Sequence, residues 1–281
     1  MSRSWRYLLV DVDGTLLDSQ GRISARNRAA LARAVEAGLT LVLATGRTYP
    51  SLMRSAGDLA LPFHLIANGG AVGLTPGLAS APYVNPLPRA LWPEVVEALE
   101  REGLSVVVFS HRHPEPPQLH VSRFQGDPHF EAYLGRNALL ARAAPDLAAA
   151  EIPDVLEVAA LGRGERFDAA SARVMERFGG RTRHHAMVLF IRAAYGRITE
   201  FFHPDTSKWR AFQALFPQAA AHPEQVIAVG DEANDMEMIR AAGLGIAMGN
   251  ATDELKAVAD WVSAGHDQDG LALAVERALA L

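Results

Sequence analysis

The feature that most constrains the fold is an apolar run near the N-terminus that ends abruptly in acidic residues. Residues 7–10 (Tyr-Leu-Leu-Val) are dense enough in apolar side chains for a fully buried strand, and Asp11-Val12-Asp13-Gly14-Thr15 follows directly. Open parallel sheets carry their chemistry beyond the carboxyl ends of their strands, where two neighbouring carboxylates resist ionising together. A hard divalent cation offsets that repulsion, and oxygen-only ligands favour Mg²⁺. Taken alone, the same residues also fit a turn in which an aspartate caps a helix.

Two further apolar runs end in polar residues in the same way. Residues 39–44 precede Thr45-Gly46-Arg47, and residues 225–230 precede Asp231-Glu232-Ala233-Asn234-Asp235. Between these two runs, Ser207-Lys208 stands directly before a predicted helix. Because the carboxyl ends of parallel strands meet at one edge of a sheet, we expect these acids, hydroxyls and cations to gather there.

The order of these motifs, D-x-D-x-T, T-G-R, K and G-D-x-x-N-D, resembles the haloacid dehalogenase (HAD) superfamily of aspartate-nucleophile phosphatases. The stretches at 65–71 (Leu-Ile-Ala-Asn-Gly-Gly-Ala) and 245–251 (Gly-Ile-Ala-Met-Gly-Asn-Ala) resemble its Cof-type sugar-phosphatase branch, which has a class IIB cap. The resemblance covers both ends of the chain, residues 5–85 and 195–281.

The resemblance gives the acidic residues distinct roles. Asp11 is the expected nucleophile that forms an aspartyl-phosphate, and Asp13 is expected to protonate the leaving group and then to activate water. The implied Mg²⁺ ligands are Asp11, Asp13 through its backbone carbonyl, and Asp231. Asp235 is a candidate further ligand, although it also fits a helix cap.

The remaining motif residues are expected to bind the phosphate or the substrate. These residues are Thr45, Gly46, Arg47, Lys208 and Asn234. A hydroxyl and a glycine at a helix N-terminus suit phosphate oxygens, and a lysine offsets the charge of the nucleophile. Arg47 also fits an exposed position, Lys208 a solvated helix start, and Asn234 a helix cap.

The spacing of predicted elements indicates an α/β protein with two domains. Alternation of strands and helices at both ends predicts a Rossmann-like, doubly wound parallel sheet formed by residues 1–85 and 196–281. Residues 86–195 read as an inserted α+β segment, which the resemblance identifies as a cap domain. A cluster of prolines at 82, 86, 88 and 93 predicts a linker, and the alanine-rich stretch 138–150 favours a helix.

Composition excludes several classes of function and partner. The chain of 281 residues has no cysteine, which excludes disulfides, a thiolate nucleophile and a zinc–thiolate site and fits a cytoplasmic protein. A net charge of −5 gives no reason to expect nucleic acid or an anionic membrane as partner. No apolar run reaches the ~18–20 residues that span a bilayer, and the short N-terminal segment leaves no room for a signal peptide. The oligomeric state stays open.

The sequence therefore predicts a Mg²⁺-dependent phosphomonoesterase that acts on small phosphorylated metabolites, with sugar phosphates as the leading class. A phosphomutase of the same superfamily is the nearest alternative, and isomer formation instead of phosphate release would distinguish it. A metal-dependent glycosyltransferase would also use a D-x-D motif, but it leaves Thr45-Gly46-Arg47, Lys208 and the Asp231 motif unexplained. A non-catalytic metabolite sensor would not need the full set of catalytic residues.

Overall fold

The computed structural model describes residues 5–78, 80–111, 118–122, 128–191 and 194–281. The chain divides into two compact units. The first unit comprises Met1–Tyr83 and Ser207–Leu281, and the second comprises Val84–Thr206.

The strands of both units alternate with helices along most of the chain. In chain order the strands are β1 (Tyr7–Asp11), β2 (Thr40–Ala44), β3 (His64–Ala67), β4 (Val72–Leu74), β5 (Tyr83–Val84), β6 (Ser105–Ser110), β7 (Leu119–Val121), β8 (Ala141–Ala143), β9 (Val155–Gly162), β10 (Arg183–Ile191), β11 (Ala194–Phe202), β12 (Val226–Gly230), β13 (Leu244–Ala247) and β14 (Trp261–Val262). The α-helices are α1 (Ala25–Glu36), α2 (Tyr49–Ala56), α3 (Trp92–Arg101), α4 (Pro128–Arg136), α5 (Gly164–Arg177), α6 (Lys208–Leu215), α7 (Pro217–Ala221), α8 (Met236–Ala241), α9 (Asp253–Lys256) and α10 (Gly270–Leu279).

The first unit is built on a mostly parallel sheet in the order β14-β13-β12-β1-β2-β3-β4-β5. Strands β14 to β3 in this order run parallel, and β4 is antiparallel to β3. Leu8, Leu9 and Val10 of the central strand β1 have no exposed surface. Such burial is expected of a parallel strand that helices cover on both faces. This sheet confirms the predicted α/β class.

The first helix begins at a predicted capping residue, and other helices pack near the sheet. The side chain of Ser24 accepts a hydrogen bond from the backbone N–H of Asn27 and so caps α1, as its sequence position predicts. Helix α1 packs against α10 on one face of the sheet. Helix α6, with buried Trp209 and Phe212, belongs to a core cluster with sheet residues such as Leu9 and Val42.

The second unit has its own sheet, in the order β10-β11-β9-β6-β7-β8. Neighbouring strands are antiparallel except for β7 and β8, which are parallel. Helices α3 and α5 contribute Trp92 and Phe167 to a core cluster on this sheet that also contains Phe201. The unit therefore has a hydrophobic core of its own.

Three features of the middle of the chain differ from the sequence-based predictions. The predicted return to the first domain at residue 196 falls inside β11, which pairs with both β10 and β9, so the second unit continues to Thr206. The predicted linker contains helix α3. This helix accommodates Pro93 because the proline lies in the first turn, where it costs no hydrogen bond. The alanine-rich stretch contains strand β8, because pairing with β7 outweighs helix propensity.

Within the described residues, no helix combines the length and the apolar character needed to cross a bilayer.

Candidate active site

Strand pairing brings three of the predicted acidic residues together at one edge of the first sheet. Strands β1 and β12 are parallel neighbours with Val10 opposite Val229, so Asp11 ends β1 at the same level as Gly230, and Asp231 follows directly. Asp235 follows on a short 3₁₀ turn over Ala233–Asp235. One carboxylate oxygen from each of these three aspartates lies within 4.8 Å of the other two.

Lys208 is the cation of this cluster, and its side chain is only 1% exposed. Its Nζ donates to Oδ1 of Asp11 at 2.5 Å, to Oδ1 of Asp235 at 2.6 Å and to Oδ1 of Asn234 at 3.2 Å. Ser207 caps helix α6 by accepting from the N–H of Arg210, which fixes Lys208 as the first helical residue. All three protons of the ammonium are thus committed to side chains of the cluster.

Asp235 closes the loop after β12 with both of its oxygens. Its Oδ1 accepts from Lys208, and its Oδ2 accepts from the backbone N–H groups of Asp231 at 3.0 Å and Glu232 at 3.1 Å. A Cβ at Gly230 would lie 2.6 Å from the Asp235 carboxylate, so only glycine allows this close approach. Asp235 therefore orients Lys208 and the Asp231 loop.

The charges of the cluster do not balance. Burial raises the pKa of Asp11 well above its usual range, and the charges of Asp235 and Asp231 raise it further against the opposing effect of Lys208. Burial, with the charge of Asp235, also raises the pKa of Asp231 to about 7. Burial disfavours the charged form of Lys208, but its ion pairs with Asp11 and Asp235 outweigh this effect and raise its pKa. One ammonium thus faces three carboxylates.

A divalent cation fits this donor set. The Oδ2 atom of Asp11 is buried and has no hydrogen-bond partner, and the nearby acidic side chains offer only oxygen ligands. Hard cations such as Mg²⁺ prefer carboxylate and carbonyl oxygens, and a positive ion would relieve the repulsion that raises the pKa of Asp11 and Asp231. Asp11 and Asp231 could hold such an ion, whereas Asp235 already accepts three hydrogen bonds, one of them from an ammonium.

Two neutral donors hold the carboxylate of Asp231. The hydroxyl of Thr15 donates to Oδ1 at 2.8 Å, and Nδ2 of Asn250 donates to Oδ2 at 3.3 Å. Gly14, with a φ of +82°, passes so close that a Cβ there would lie 2.1 Å from Oδ2 of Asp231. Glycine is thus required at position 14 both by its backbone conformation and by this approach.

The side chain of Asp13 lies outside the three-carboxylate cluster. It is 54% exposed and forms a bidentate ion pair with Arg47, with Nε 2.8 Å from Oδ2 and Nη2 2.5 Å from Oδ1. The third guanidinium nitrogen of Arg47 donates to the hydroxyl of Ser55 at 2.8 Å. Arg47, whose own side chain is partly buried, therefore anchors Asp13.

The loop after β2 places Thr45 and Gly46 beside strand β1. Asp11 lies opposite Ala44 in the pairing of β1 with β2, and Thr45 follows Ala44 with no exposed surface. The hydroxyl of Thr45 accepts from the backbone N–H of Arg47 at 3.0 Å. A Cβ at Gly46 would meet no atom within 4 Å, so the space beside this glycine is open.

Sequence reasoning gave no role to Thr15 or Asn250, which the structure brings into contact with Asp231. Asn250 was part of a motif used for the resemblance, and it follows the end of strand β13. Applying the strand-end rule to β13 as well would have identified it. The partner of Thr15 is not predictable locally, because 216 positions separate it from Asp231.

A family model described as haloacid dehalogenase-like hydrolase matches residues 8–275 of the chain. A crystal structure of a haloacid dehalogenase-like hydrolase from Bacteroides thetaiotaomicron superimposes with a TM-score of 0.77 and 26% identity, over 97% of this chain and 99% of that one. The residues that the family model matches include all of the candidate site residues.

Two curated proteins illustrate the range of relatives. The 5-amino-6-(5-phospho-D-ribitylamino)uracil phosphatase YwtE of Bacillus subtilis is 27% identical over 98% of this chain and 98% of its own length. The chloroplastic endoribonuclease YBEY of Arabidopsis thaliana is 28% identical over 96% of this chain. The chain spans only 46% of that second relative, so about half of the Arabidopsis protein has no counterpart here.

Proposed function

Because the chain belongs to the haloacid dehalogenase-like hydrolases and is a hydrolase of phosphoric monoesters, we propose that it works through an aspartyl-phosphate formed on Asp11 with the help of Mg²⁺. The observation that carries the proposal is the unequal treatment of the two oxygens of Asp11. Lys208 holds Oδ1 at 2.5 Å, whereas the buried Oδ2 has no hydrogen-bond partner. A carboxylate that an ammonium fixes at one oxygen, and that keeps free lone pairs, is a positioned nucleophile.

The proposed reaction has two steps. In the first step an oxygen of Asp11 bonds to phosphorus, the bond from phosphorus to the ester oxygen breaks, and Asp13 gives its proton to the leaving alkoxide. In the second step a water molecule attacks the phosphorus, Asp13 accepts a proton from that water, and the bond to Asp11 breaks to release inorganic phosphate. Asp13 thereby returns to its protonated form.

Arg47 holds Asp13 until the substrate binds in this scheme. Both oxygens of Asp13 accept hydrogen bonds from Arg47 in a bidentate ion pair. A phosphoryl group carries more negative charge than one carboxylate, and a guanidinium binds phosphate oxygens in the same bidentate way. Transfer of Arg47 from Asp13 to the substrate would therefore bind the phosphate and free the acid.

Mg²⁺ would be held by Asp11, Asp231 and the backbone carbonyl of Asp13. When bound, it supplies positive charge against the phosphoryl oxygens. The hydrogen bonds of Asp235 favour a positioning role for this residue over direct ligation. The proposed phosphate- and substrate-binding groups surround the carboxyl ends of β1, β2 and β12. They are Thr45, the open backbone at Gly46, Arg47, Lys208 and Asn234.

The proposed substrates are small phosphorylated metabolites, with phosphorylated sugars and sugar alcohols first. The Bacillus subtilis relative is named for a substrate whose phosphate is attached to a ribityl group. All proposed catalytic residues belong to the first unit. The proposed role of the second unit is therefore that of a cap domain that selects the substrate. A cytoplasmic location, and the expectation of no nucleic-acid or membrane partner, stay predictions from the sequence.

Release of inorganic phosphate from a panel of sugar, nucleotide and cofactor phosphates tests the activity. Full activity with Mg²⁺ and none in EDTA are expected, and Asp11→Asn should lower turnover by at least ~10³-fold. Asp58→Asn is the matched control, since Asp58 is exposed and forms a surface ion pair with Arg28. Isomerised sugar phosphate without phosphate release would favour the phosphomutase alternative, and turnover in EDTA would refute the proposal.

A further inference from the structure

Asn250 connects the two strand ends that carry the proposed metal ligands. Its Nδ2 donates to the backbone carbonyl of Gly14 at 2.9 Å and to Oδ2 of Asp231 at 3.3 Å. Gly14 lies in the loop that follows β1, and Asp231 follows β12. A single amide group thus joins the Asp11–Asp13 loop to the Asp231 loop.

The other end of the Asn250 side chain is fixed by the C-terminal part of the chain. Its Oδ1 accepts from the backbone N–H of His266 at 2.9 Å. The same segment is held independently by Ser263, whose hydroxyl donates to the carbonyl of Gly270 at 2.7 Å. The amide plane of Asn250 is therefore set from both sides.

Asn250 and Thr15 together determine the orientation of the Asp231 carboxylate. Each donates one hydrogen bond to a different oxygen, so rotation of the carboxylate would break at least one of them. Each oxygen retains a lone pair, since a carboxylate offers about four acceptor sites. Both donors are neutral, so they orient Asp231 without cancelling the negative charge that a cation requires.

We propose that Asn250 is a positioning residue for the divalent cation, through the Asp231 carboxylate and the Gly14 carbonyl. The inference rests on the proposed metal dependence, and it extends it to a residue outside the carboxylate cluster. Loss of groups that orient metal ligands commonly weakens metal binding by 10- to 100-fold. We expect a weakening of that size in Asn250→Ala.

The test is the stabilisation of the full chain by Mg²⁺. Chelated protein is titrated with Mg²⁺, and the thermal unfolding midpoint is followed to obtain the concentration for half-maximal stabilisation. Asn250→Ala and Asn250→Ser should each raise this concentration by about 10- to 100-fold. Thr15→Val should raise it too, because valine keeps the shape but removes the hydroxyl, and Thr15→Ser should restore it.

A control separates metal positioning from anchoring of the C-terminal segment. Ser263→Ala removes a buried hydrogen bond of that segment and touches neither Asp231 nor Gly14. It should lower the unfolding midpoint in chelator. It should leave the Mg²⁺ requirement within about twofold, because metal affinity is expected to depend on the groups that contact the metal ligands. An unchanged Mg²⁺ requirement in the folded Asn250 variants would overturn the inference. An increase in the Mg²⁺ requirement of Ser263→Ala as large as that of the Asn250 variants would overturn it as well.

The same titration distinguishes failure of the inference from failure of the proposed function. If wild-type protein gains no stability from Mg²⁺, the metal dependence itself is wrong. If Mg²⁺ stabilises the wild type, and Asp231→Ala abolishes the effect while Asn250→Ala and Asn250→Ser do not change it, only the role of Asn250 is refuted.

Discussion

The ammonium of Lys208 lies 2.5 Å from Oδ1 of Asp11, and neither side chain is more than 7% exposed. A charge pair as buried as this one is costly to form and still more costly to break, because removal of one partner leaves the other uncompensated in a low-dielectric site. Lys208 therefore has a structural role as well as its proposed role in phosphate binding, since it also compensates Asp235.

Lys208→Met should destabilise the fold strongly. The methionine fills the space but leaves Asp11 and Asp235 without their cation, and breaking a buried pair in this way typically costs ~3–5 kcal/mol. Urea unfolding of chelated protein near neutral pH measures the loss. Lys256→Met is the control, because Lys256 is the only other lysine in the sequence and lies near the end of the short helix α9. A loss in Lys208→Met no larger than in this control would show that the pair is not stabilising.

Asp13→Asn should slow the reaction in a manner that depends on the leaving group. Alkoxides of sugars are poor leaving groups and need a proton, whereas an aryl phosphate leaves with little protonation. We expect kcat for a sugar phosphate to fall by about 10²–10⁴-fold, the usual contribution of acid–base catalysis, and kcat for an aryl phosphate to fall much less. Steady-state kinetics with both substrates measures the difference. Equal losses would remove Asp13 from proton transfer.

Gly46→Ala should weaken phosphate binding without harming the fold. The added methyl group meets no atom within 4 Å, and the backbone at Gly46 is not left-handed, so stability should be unchanged or rise by ~0.4–1 kcal/mol. The methyl group would occupy the space proposed for phosphate, which should raise the inhibition constant of inorganic phosphate. Gly135→Ala, near the C-terminal end of helix α4 with equally open surroundings, should change only the stability. An unchanged inhibition constant in Gly46→Ala would place the phosphate elsewhere.

The stability of metal-free protein should fall as pH rises from about 4 to 7, measured relative to Asp231→Asn. Burial raises the pKa of Asp231 to about 7 in the folded state, while the unfolded value is near 3.9. Between these values the folded state binds the additional proton, so the free energy of unfolding decreases with rising pH by up to ~1.4 kcal/mol per unit. Urea unfolding in EDTA at several pH values measures this slope, and saturating Mg²⁺ should weaken or reverse it. A positive slope in EDTA would contradict the argument.

Much of the candidate site could be predicted from the sequence because its residues follow buried strands. Asp11, Thr45 and Asp231 lie at the ends of apolar runs, and the parallel order of β12, β1 and β2 then brings them together. The second unit was harder to predict. Strand β11 runs past the predicted boundary because it pairs with β9 as well as with β10, and strand β8 forms against the helix propensity of its alanines.

The finer geometry of the site could not be predicted from the sequence for a different reason. The ion pair of Arg47 with Asp13 and the hydrogen bond of Asn250 to Gly14 join positions that are 34 and 236 residues apart. Their formation depends on rotamers and loop conformations that no local pattern encodes. The sequence identified which residues gather, and the structure adds which oxygen each donor meets.

The central claim is that Asp11 carries the phosphoryl group, and reductive trapping during turnover tests it most directly. Borohydride reduces an aspartyl-phosphate to homoserine, and mass spectrometry of the peptide that contains residue 11 locates the change. Homoserine is expected at position 11 when substrate and Mg²⁺ are present, and none is expected when either is omitted. Active enzyme that releases phosphate while Asp11 stays unmodified and another carboxylate, such as Asp13 or Asp231, is reduced would contradict it.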